Sequence, residues 1–149
     1  MPIMQIRTAK KDDLAQILQL YDELRPNDPL LTPEQAQTTW QNMLHDDRTD
    51  IIVADMDGKL ASTCSLTLNL TLTNGAKPFA MIEHVVTSAD FRRQGLSQKV
   101  IDSAIKLAWQ KGCYKVMLLS GEQLKGAHQL YRSVGLKDGI ERGFVIKPD

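Results

Sequence analysis

The stretch from Phe79 to Gly112 constrains this chain more than any other. Phe79-Ala80-Met81-Ile82-Glu83-His84-Val85-Val86-Thr87 is rich in apolar and β-branched residues and reads as a mostly buried strand. A short basic turn follows, Arg92-Arg93-Gln94-Gly95-Leu96-Ser97. Beyond it Leu96, Val100, Ile101, Ala104, Ile105 and Ala108 recur at helical spacing, and Gly112 supplies a stop. A strand that runs through a glycine turn into a helix start is a ready phosphate cradle. The first-turn amides have no intrahelical partner, the helix dipole favours negative charge, and Gly95 lets a ligand approach the backbone.

Other phosphate motifs do not fit. No Gly-Lys-Ser/Thr follows, so the turn is not a P-loop, and one glycine stands where a dinucleotide fingerprint needs three. The plain alternative is an ordinary strand–helix connection with solvated arginines. Eighteen basic and eighteen acidic side chains cancel, which argues against a broad nucleic-acid footprint. The local pair Arg92 and Arg93 suits one small anion better than a polymer.

At 149 residues, with 42% apolar and 24% charged residues, the chain is expected to form a single domain over 1–149 with its own core. No apolar run approaches a membrane span and no signal-peptide core precedes the first strand, so a cytoplasmic protein without a membrane partner is expected. Cys64 and Cys113 are isolated and are expected as buried free thiols, with a bridge as the alternative. His45, His84 and His128 show no metal-ligand spacing, and no metal is expected.

The remaining order follows from periodicity and turn chemistry. Pro2 to Thr8 reads as a strand, and Leu14, Ile17, Leu18, Tyr21 and Leu24 mark the face of a helix opened by Asp12-Asp13. Thr32-Pro33-Glu34-Gln35 is a capping box before a second helix with Ala36, Trp40, Met43 and Leu44 on its apolar stripe. Ile51 to Met56, the turn Asp57-Gly58 and the strand from Leu60 form a hairpin. Leu66, Leu68, Leu70 and Leu72 alternate with polar residues, giving that strand one buried face, and Asn74-Gly75 turns it into the strand carrying Glu83. One or two last strands are expected between Leu136 and Ile146. Hairpins first and strand–helix–strand units later predict an α/β fold of mixed α+β type. Its twisted, mostly antiparallel sheet has six to seven strands flanked by four helices on both faces.

With those residues in view, the segment from about Phe79 to Leu136 resembles the GNAT superfamily of acyl-CoA-dependent N-acyltransferases. The turn is similar to that family's Arg/Gln-x-x-Gly-x-Gly/Ala pattern, with Arg92 first, Gly95 fourth and the small Ser97 in sixth place. Leu130-Tyr131-Arg132-Ser133-Val134-Gly135-Leu136 resembles its helix-ending Tyr-x-x-x-Gly-Phe segment, with Leu136 for Phe. Tyr114 to Ser120 resembles the strand that parts from its neighbour to admit the pantetheine arm. The resemblance implies acetyl-CoA as cofactor, with CoA as product. It implies cofactor contacts from Val85, Val86 and Thr87 through their backbone, and from Arg92, Arg93, Gln94, Gly95, Leu96, Ser97 and Gln98. One arginine is expected to face the ligand and the other solvent. Leu124 stands where many relatives carry an Asn cofactor contact, seven residues before the Tyr.

Tyr131 is implied as the acid for the departing thiolate, although its spacing with Leu124, Ala127 and Val134 also suits a core aromatic. Glu83, a carboxylate in a buried-looking strand, is a general-base or substrate-orienting candidate unless a salt bridge satisfies it. Strand alternation points His84 to the opposite face unless a bulge intervenes, so the two are not expected to act as a pair, and His84 or a water chain is an alternative to Glu83 as proton relay. His128 reads as a solvated helix residue. Glu83-His84 also resembles the Ile-Glu-Asp of glucosamine-phosphate N-acetyltransferases, with His84 in the Asp place, which makes an aminosugar one option among primary amines of small molecules or peptides. The loops Arg25 to Leu31, Thr73 to Lys77 and Asp138 to Gly143 are expected to shape the acceptor pocket. A transferase of another acyl group, or a non-catalytic acyl-CoA-binding module needing neither Glu83 nor Tyr131, are the competing readings. A homodimer through the C-terminal strand edge is left open.

Overall fold

The computed structural model describes residues 3–149. Strand β1 (Met4–Thr8) leads to helices α1 (Leu14–Leu24) and α2 (Pro33–His45). Strands β2 (Thr49–Met56), β3 (Lys59–Asn69) and β4 (Phe79–Thr87) follow, then helix α3 (Leu96–Gln110), strand β5 (Val116–Met117) and helix α4 (Lys125–Ser133). The strands form one sheet in the order β1-β2-β3-β4-β5. All neighbours are antiparallel except β4 and β5, which run parallel. Pro2, at the start of the expected first strand, lies outside the described residues.

Local chemistry explains most of this order. Asp57 and Gly58 form the two-residue connection between Met56 and Lys59, both with positive φ, as the twist of a tight hairpin requires. The α2 cap is reciprocal: Gln35 N donates to Thr32 Oγ1 at 3.1 Å and Thr32 N donates to Gln35 Oε1 at 2.9 Å. Strand alternation then sorts the core. Ile52 and Ala54 pack with Val100, Ile101 and Ala104 under α3, while Ile51 and Val53 pack with Ile17, Leu20 and Trp40 under α1 and α2. The sheet is thus covered on both faces. Cys64 and Cys113 are buried and free, and burial pushes the Cys64 thiol up to about 12.

Two expectations fail for one reason. Among the described residues the sheet has five strands rather than six or seven, because Leu136 to Ile146 forms no strand. Likewise Leu70 and Leu72, expected on a buried face, are 72% and 96% exposed. A strand exists only where a neighbour takes its hydrogen bonds. The β3–β4 ladder ends at the Asn69–Phe79 pair, and the preceding residue, Pro78, has no N–H to extend it. At the other edge β5 offers a ladder only two residues long. The C-terminal segment lies exposed instead, with Ile140, Phe144, Val145 and Ile146 all 70% or more accessible; its Gly143 lies under Leu119, where a Cβ would sit 2.5 Å from Cδ2.

Candidate active site

The cradle forms where β4 ends. Gly95 caps α3 with φ +73, in the left-handed region that favours glycine, and no side chain bonds the first-turn amides of α3. A Cβ at Gly95 would meet only Gln98 Oε1 at 3.7 Å, so backbone conformation, not space, requires the glycine. Arg93 is also left-handed at φ +67, a strain that non-glycine residues keep where their surroundings over-determine it. These residues open onto a hollow of about 180 Å³. Arg92, Arg93, Gly95 and Leu96 line it from the turn. Thr87, Ser97 and Gln98 complete it with Leu130 of α4.

Hydroxyl groups fasten the cradle. Thr87 Oγ1 lies 2.6 Å from Ser97 Oγ and 2.8 Å from Ser62 Oγ, tying the end of β4 to the start of α3 and to β3. Gln98 Nε2 donates to Ser133 Oγ at 2.8 Å, which leaves its side chain engaged with α4. Both arginines border the hollow and both are exposed, and Arg92 Nε donates to the Thr87 carbonyl at 3.3 Å. Gln94 is exposed on the turn. A larger hollow of about 290 Å³ lies between β1, β2 and α3, away from this turn. Its Arg7 guanidinium is already engaged by Asp13, Asp55 and the Thr8 carbonyl.

Beside the cradle β4 is open. Its parallel ladder with β5 covers only Ala80 and Met81, so among the described residues the edge from Ile82 to Thr87 has no strand partner on that side. The β3–β4 register breaks between Ser65↔Glu83 and Thr63↔Val86. Two residues, His84 and Val85, therefore stand opposite Cys64 alone, which is a β-bulge. His84 takes φ +53. The bulge corrects the simple alternation: Glu83 and His84 both point outward, with side chains 57% and 45% exposed and Glu83 Oε2 3.8 Å from His84 Nε2. A carboxylate in an apolar strand is thereby solvated rather than buried. Val85 and Val86 part to opposite faces, Val85 toward the α3 core and Val86 toward the α1 core.

Two tyrosines flank this region. Tyr131 packs on the α3 core, and burial followed by the nearby Cys64 raises its pKa. Its helix ends in a Schellman motif: Leu136 N donates to the Tyr131 carbonyl at 3.1 Å and Gly135 N to the Arg132 carbonyl at 3.0 Å. Gly135 has φ +98, which explains the spacing of tyrosine to glycine. Tyr21 of α1 sets its ring 5.5 Å from that of His84, and its buried hydroxyl has no partner among the described residues. Helical spacing places Tyr21 on an apolar face, and no sequence signal joins it to His84. Nothing in the alternation of β3 marked Ser62 and Ser65 either. His128 is tied to the preceding loop, its Nε2 lying 2.9 Å from the Gly121 carbonyl oxygen. Among the loops expected around an acceptor, Arg25 is paired to Asp28 at 2.7 Å and Leu30 is 94% exposed.

The fold and this cradle define a class. The acetyltransferase (GNAT) family model matches residues 15–136. The chain belongs to that family and is an acyltransferase of the N-acetyltransferase kind; the family uses acetyl-CoA. A glucosamine 6-phosphate N-acetyltransferase of Trypanosoma brucei brucei is 28% identical over 120 residues, 80% of this chain and 82% of that protein. A solved structure from Agrobacterium tumefaciens str. C58, assigned as an acetyltransferase, matches with a TM-score of 0.92 at 38% identity, covering 97% of this chain and 99% of its own. An aminoglycoside N-acetyltransferase solved with CoA shares the fold at a TM-score of 0.83 and 19% identity, covering 99% and 96%.

Proposed function

We propose that this chain, acting as one domain, transfers the acetyl group of acetyl-CoA to a primary amine of a small molecule, an aminosugar being the favoured class. The observation that carries this reading is the uncapped start of α3, which opens into a basic hollow at the foot of a β4 edge that has no strand partner. The residues fit the cofactor. The hollow is small beside the roughly 300–1,000 Å³ of pockets that enclose whole ligands, so it suits a diphosphate whose remaining chain lies in an open groove. First-turn amides of α3 hold the diphosphate and Arg92 and Arg93 add charge. The free edge from Val85 to Thr87 offers backbone donors and acceptors to the pantetheine amides. When bound, acetyl-CoA supplies an activated thioester.

The chain's own groups do the rest. Glu83 and Thr87 stand opposite Ser65 and Ser62, three positions apart on β3, about 10 Å at 3.3 Å per residue, so one strand carries the diphosphate end and the acceptor end. Its exposed carboxylate takes a proton from the incoming ammonium or orients it, with His84 at its side. A backbone amide at the bulge donates to the acetyl oxygen as charge develops there, and Tyr131 gives a proton to the departing sulfur. The aminosugar preference rests on Glu83-His84 and on the trypanosomal relative. The free thiols of Cys64 and Cys113 support a reducing, cytoplasmic setting. No helix is long and apolar enough to cross a membrane among the described residues.

Calorimetric titration with CoA and acetyl-CoA, then thiol release across an amine panel, tests the reading. Binding with turnover is expected. Binding without turnover on any amine would favour a non-catalytic acyl-CoA module, and no binding of CoA would end both. The double variant Arg92→Ala, Arg93→Ala is expected to weaken CoA binding about tenfold at low salt and less at high salt, because exposed charges are screened within about 10 Å at 0.1 M. An unchanged Kd would assign the grip to backbone amides alone.

A further inference from the structure

The bulge in β4 is held from β3 by two serines, one on each face of the sheet. Ser65 Oγ donates to the Glu83 carbonyl at 3.1 Å and Ser62 Oγ donates to the Val86 carbonyl at 3.0 Å. Glu83 and Val86 are the residues that flank the bulged pair His84-Val85. Both serines are buried on β3, at 7% and 0% exposure, and between them lies Cys64, the single residue opposite the pair. Buried hydroxyls in a central strand are uncommon unless bonded, and these two are spent on the carbonyls at each end of the irregularity. Ser62 also reaches Thr87 Oγ1, which reaches Ser97 Oγ, so the same hydroxyl chain runs on to the start of α3.

We propose that Ser65 and Ser62 are positioning residues for acetyl transfer: they clamp the carbonyls that bracket the β4 bulge and so aim its backbone amide at the acetyl oxygen. The inference rests on the acetyl-CoA reading above. A bulge leaves its extra residue outside the ladder, which is how a strand presents an amide to a ligand rather than to a neighbour. His84 holds a left-handed φ of 53°, a conformation that persists only when the surroundings impose it. Packing selects the register, since a regular ladder would turn His84 toward the α3 core, but it does not fix the peptides at either end of the pair. The two serine bonds act on the peptides at both ends of the pair and supply the missing constraint. Ser62 couples the bulge to the cradle; Ser65 acts on the bulge alone.

The test compares Ser65→Thr with Ser65→Val, which differ by a hydroxyl against a methyl. CoA lacks the acetyl oxygen, so the contact is read as the shift of the His84 and Val85 amide resonances on adding acetyl-CoA beyond that on adding CoA. It is read a second time as the ratio of the two Kd values. The parent protein and Ser65→Thr are expected to show the acetyl-dependent shift and to favour acetyl-CoA. Ser65→Val is expected to lose the shift and to lower that preference about tenfold, the weight of one well-placed hydrogen bond, while its Kd for CoA stays within about twofold. If Ser65→Val does not fold, Ser62→Ala carries the comparison, with loss of the shift accompanied by weaker CoA binding. Equal behaviour of the Thr and Val variants, retention of the shift in Ser62→Ala, or no acetyl-dependent shift in a parent that binds CoA would overturn the inference and leave the cofactor reading standing. A parent that binds neither CoA nor acetyl-CoA would overturn the cofactor reading first and the inference with it.

Discussion

A Tyr131→Phe variant will release thiol from acetyl-CoA about 100-fold more slowly on the best amine of the panel, at the low end of what a positioned general acid contributes. Its Kd for CoA will stay within about twofold, because the ring that packs on the α3 core is retained. The surroundings of the phenol hold it in its protonated form. Burial, and then the neighbouring Cys64, raise its pKa above the ordinary 10.0, so the proton is present throughout the neutral range. In the proposed step the acetyl carbon keeps its new bond to the amine nitrogen as the carbon–sulfur bond breaks, sulfur takes the phenolic proton, and the phenolate recovers one from water. Thermal unfolding provides the control: an unchanged Tm with lost turnover assigns the effect to the hydroxyl. Turnover equal to the parent's would remove Tyr131 from the reaction and leave it a core aromatic.

The second large effect is on the frame that carries α1. Arg7 on β1 binds Asp13 through two bonds of 2.8 and 3.1 Å and Asp55 on β2 through two of 3.2 and 3.1 Å. The side chains are only 13%, 10% and 19% exposed. Asp13 immediately precedes α1, so this cluster fixes where the helix, and with it Tyr21 and the wall beside His84, leaves the sheet. Arg7→Met will destabilise the fold by about 3 kcal/mol, because removing one partner leaves buried carboxylates without their counter-charge. For a chain of this size that corresponds to a fall in Tm of roughly 6–12 °C.

The pH dependence of that loss follows from Asp13. Burial alone would raise its pKa, but the Arg7 hydrogen bonds, the Lys10 amide at 2.7 Å and the adjacent positive charges outweigh it and hold it below 3.8. A depressed carboxyl stabilises the folded state above the ordinary carboxylate value, and that stability disappears as pH falls through the lower folded value. The gap between parent and Arg7→Met, measured by urea unfolding, will therefore be widest near pH 7 and will shrink below about pH 4. A gap that is constant across this range would show that Arg7 acts by packing its stem and not by its charge.

Much of the architecture is legible in the chain because it is set by near-neighbour chemistry. Thr32 and Gln35 cap α2 reciprocally, Asp57 and Gly58 turn the hairpin, and the apolar spacing from Leu96 to Ala108 makes the inner face of α3. Each of these depends on residues a few positions apart. The cradle is legible for the same reason, since an uncapped helix start behind Gly95 and two arginines is a local object. Tyr131 to Leu136 is as well: the tyrosine-to-glycine spacing is that of one Schellman cap.

What the residues could not announce by themselves depends on partners far apart in the chain. Whether Leu70, Leu72 and the segment after Leu136 are strands turns on whether another strand lies alongside, and the ladders stop at Asn69 and Met117. Whether Glu83 and His84 act together turns on one extra residue in β4, held by Ser62 and Ser65 from β3, about twenty positions earlier. Periodicity assumes an unbroken pleat, so it sends adjacent side chains to opposite faces; a register slip between two strands reverses that with no change in composition. The chain's own letters thus determined the helices, the hairpin and the uncapped glycine turn before α3. Tertiary pairing alone decided which strands exist and turned a buried-looking carboxylate into an exposed one, because hydrogen-bond register is a property of two strands and cannot be read from either.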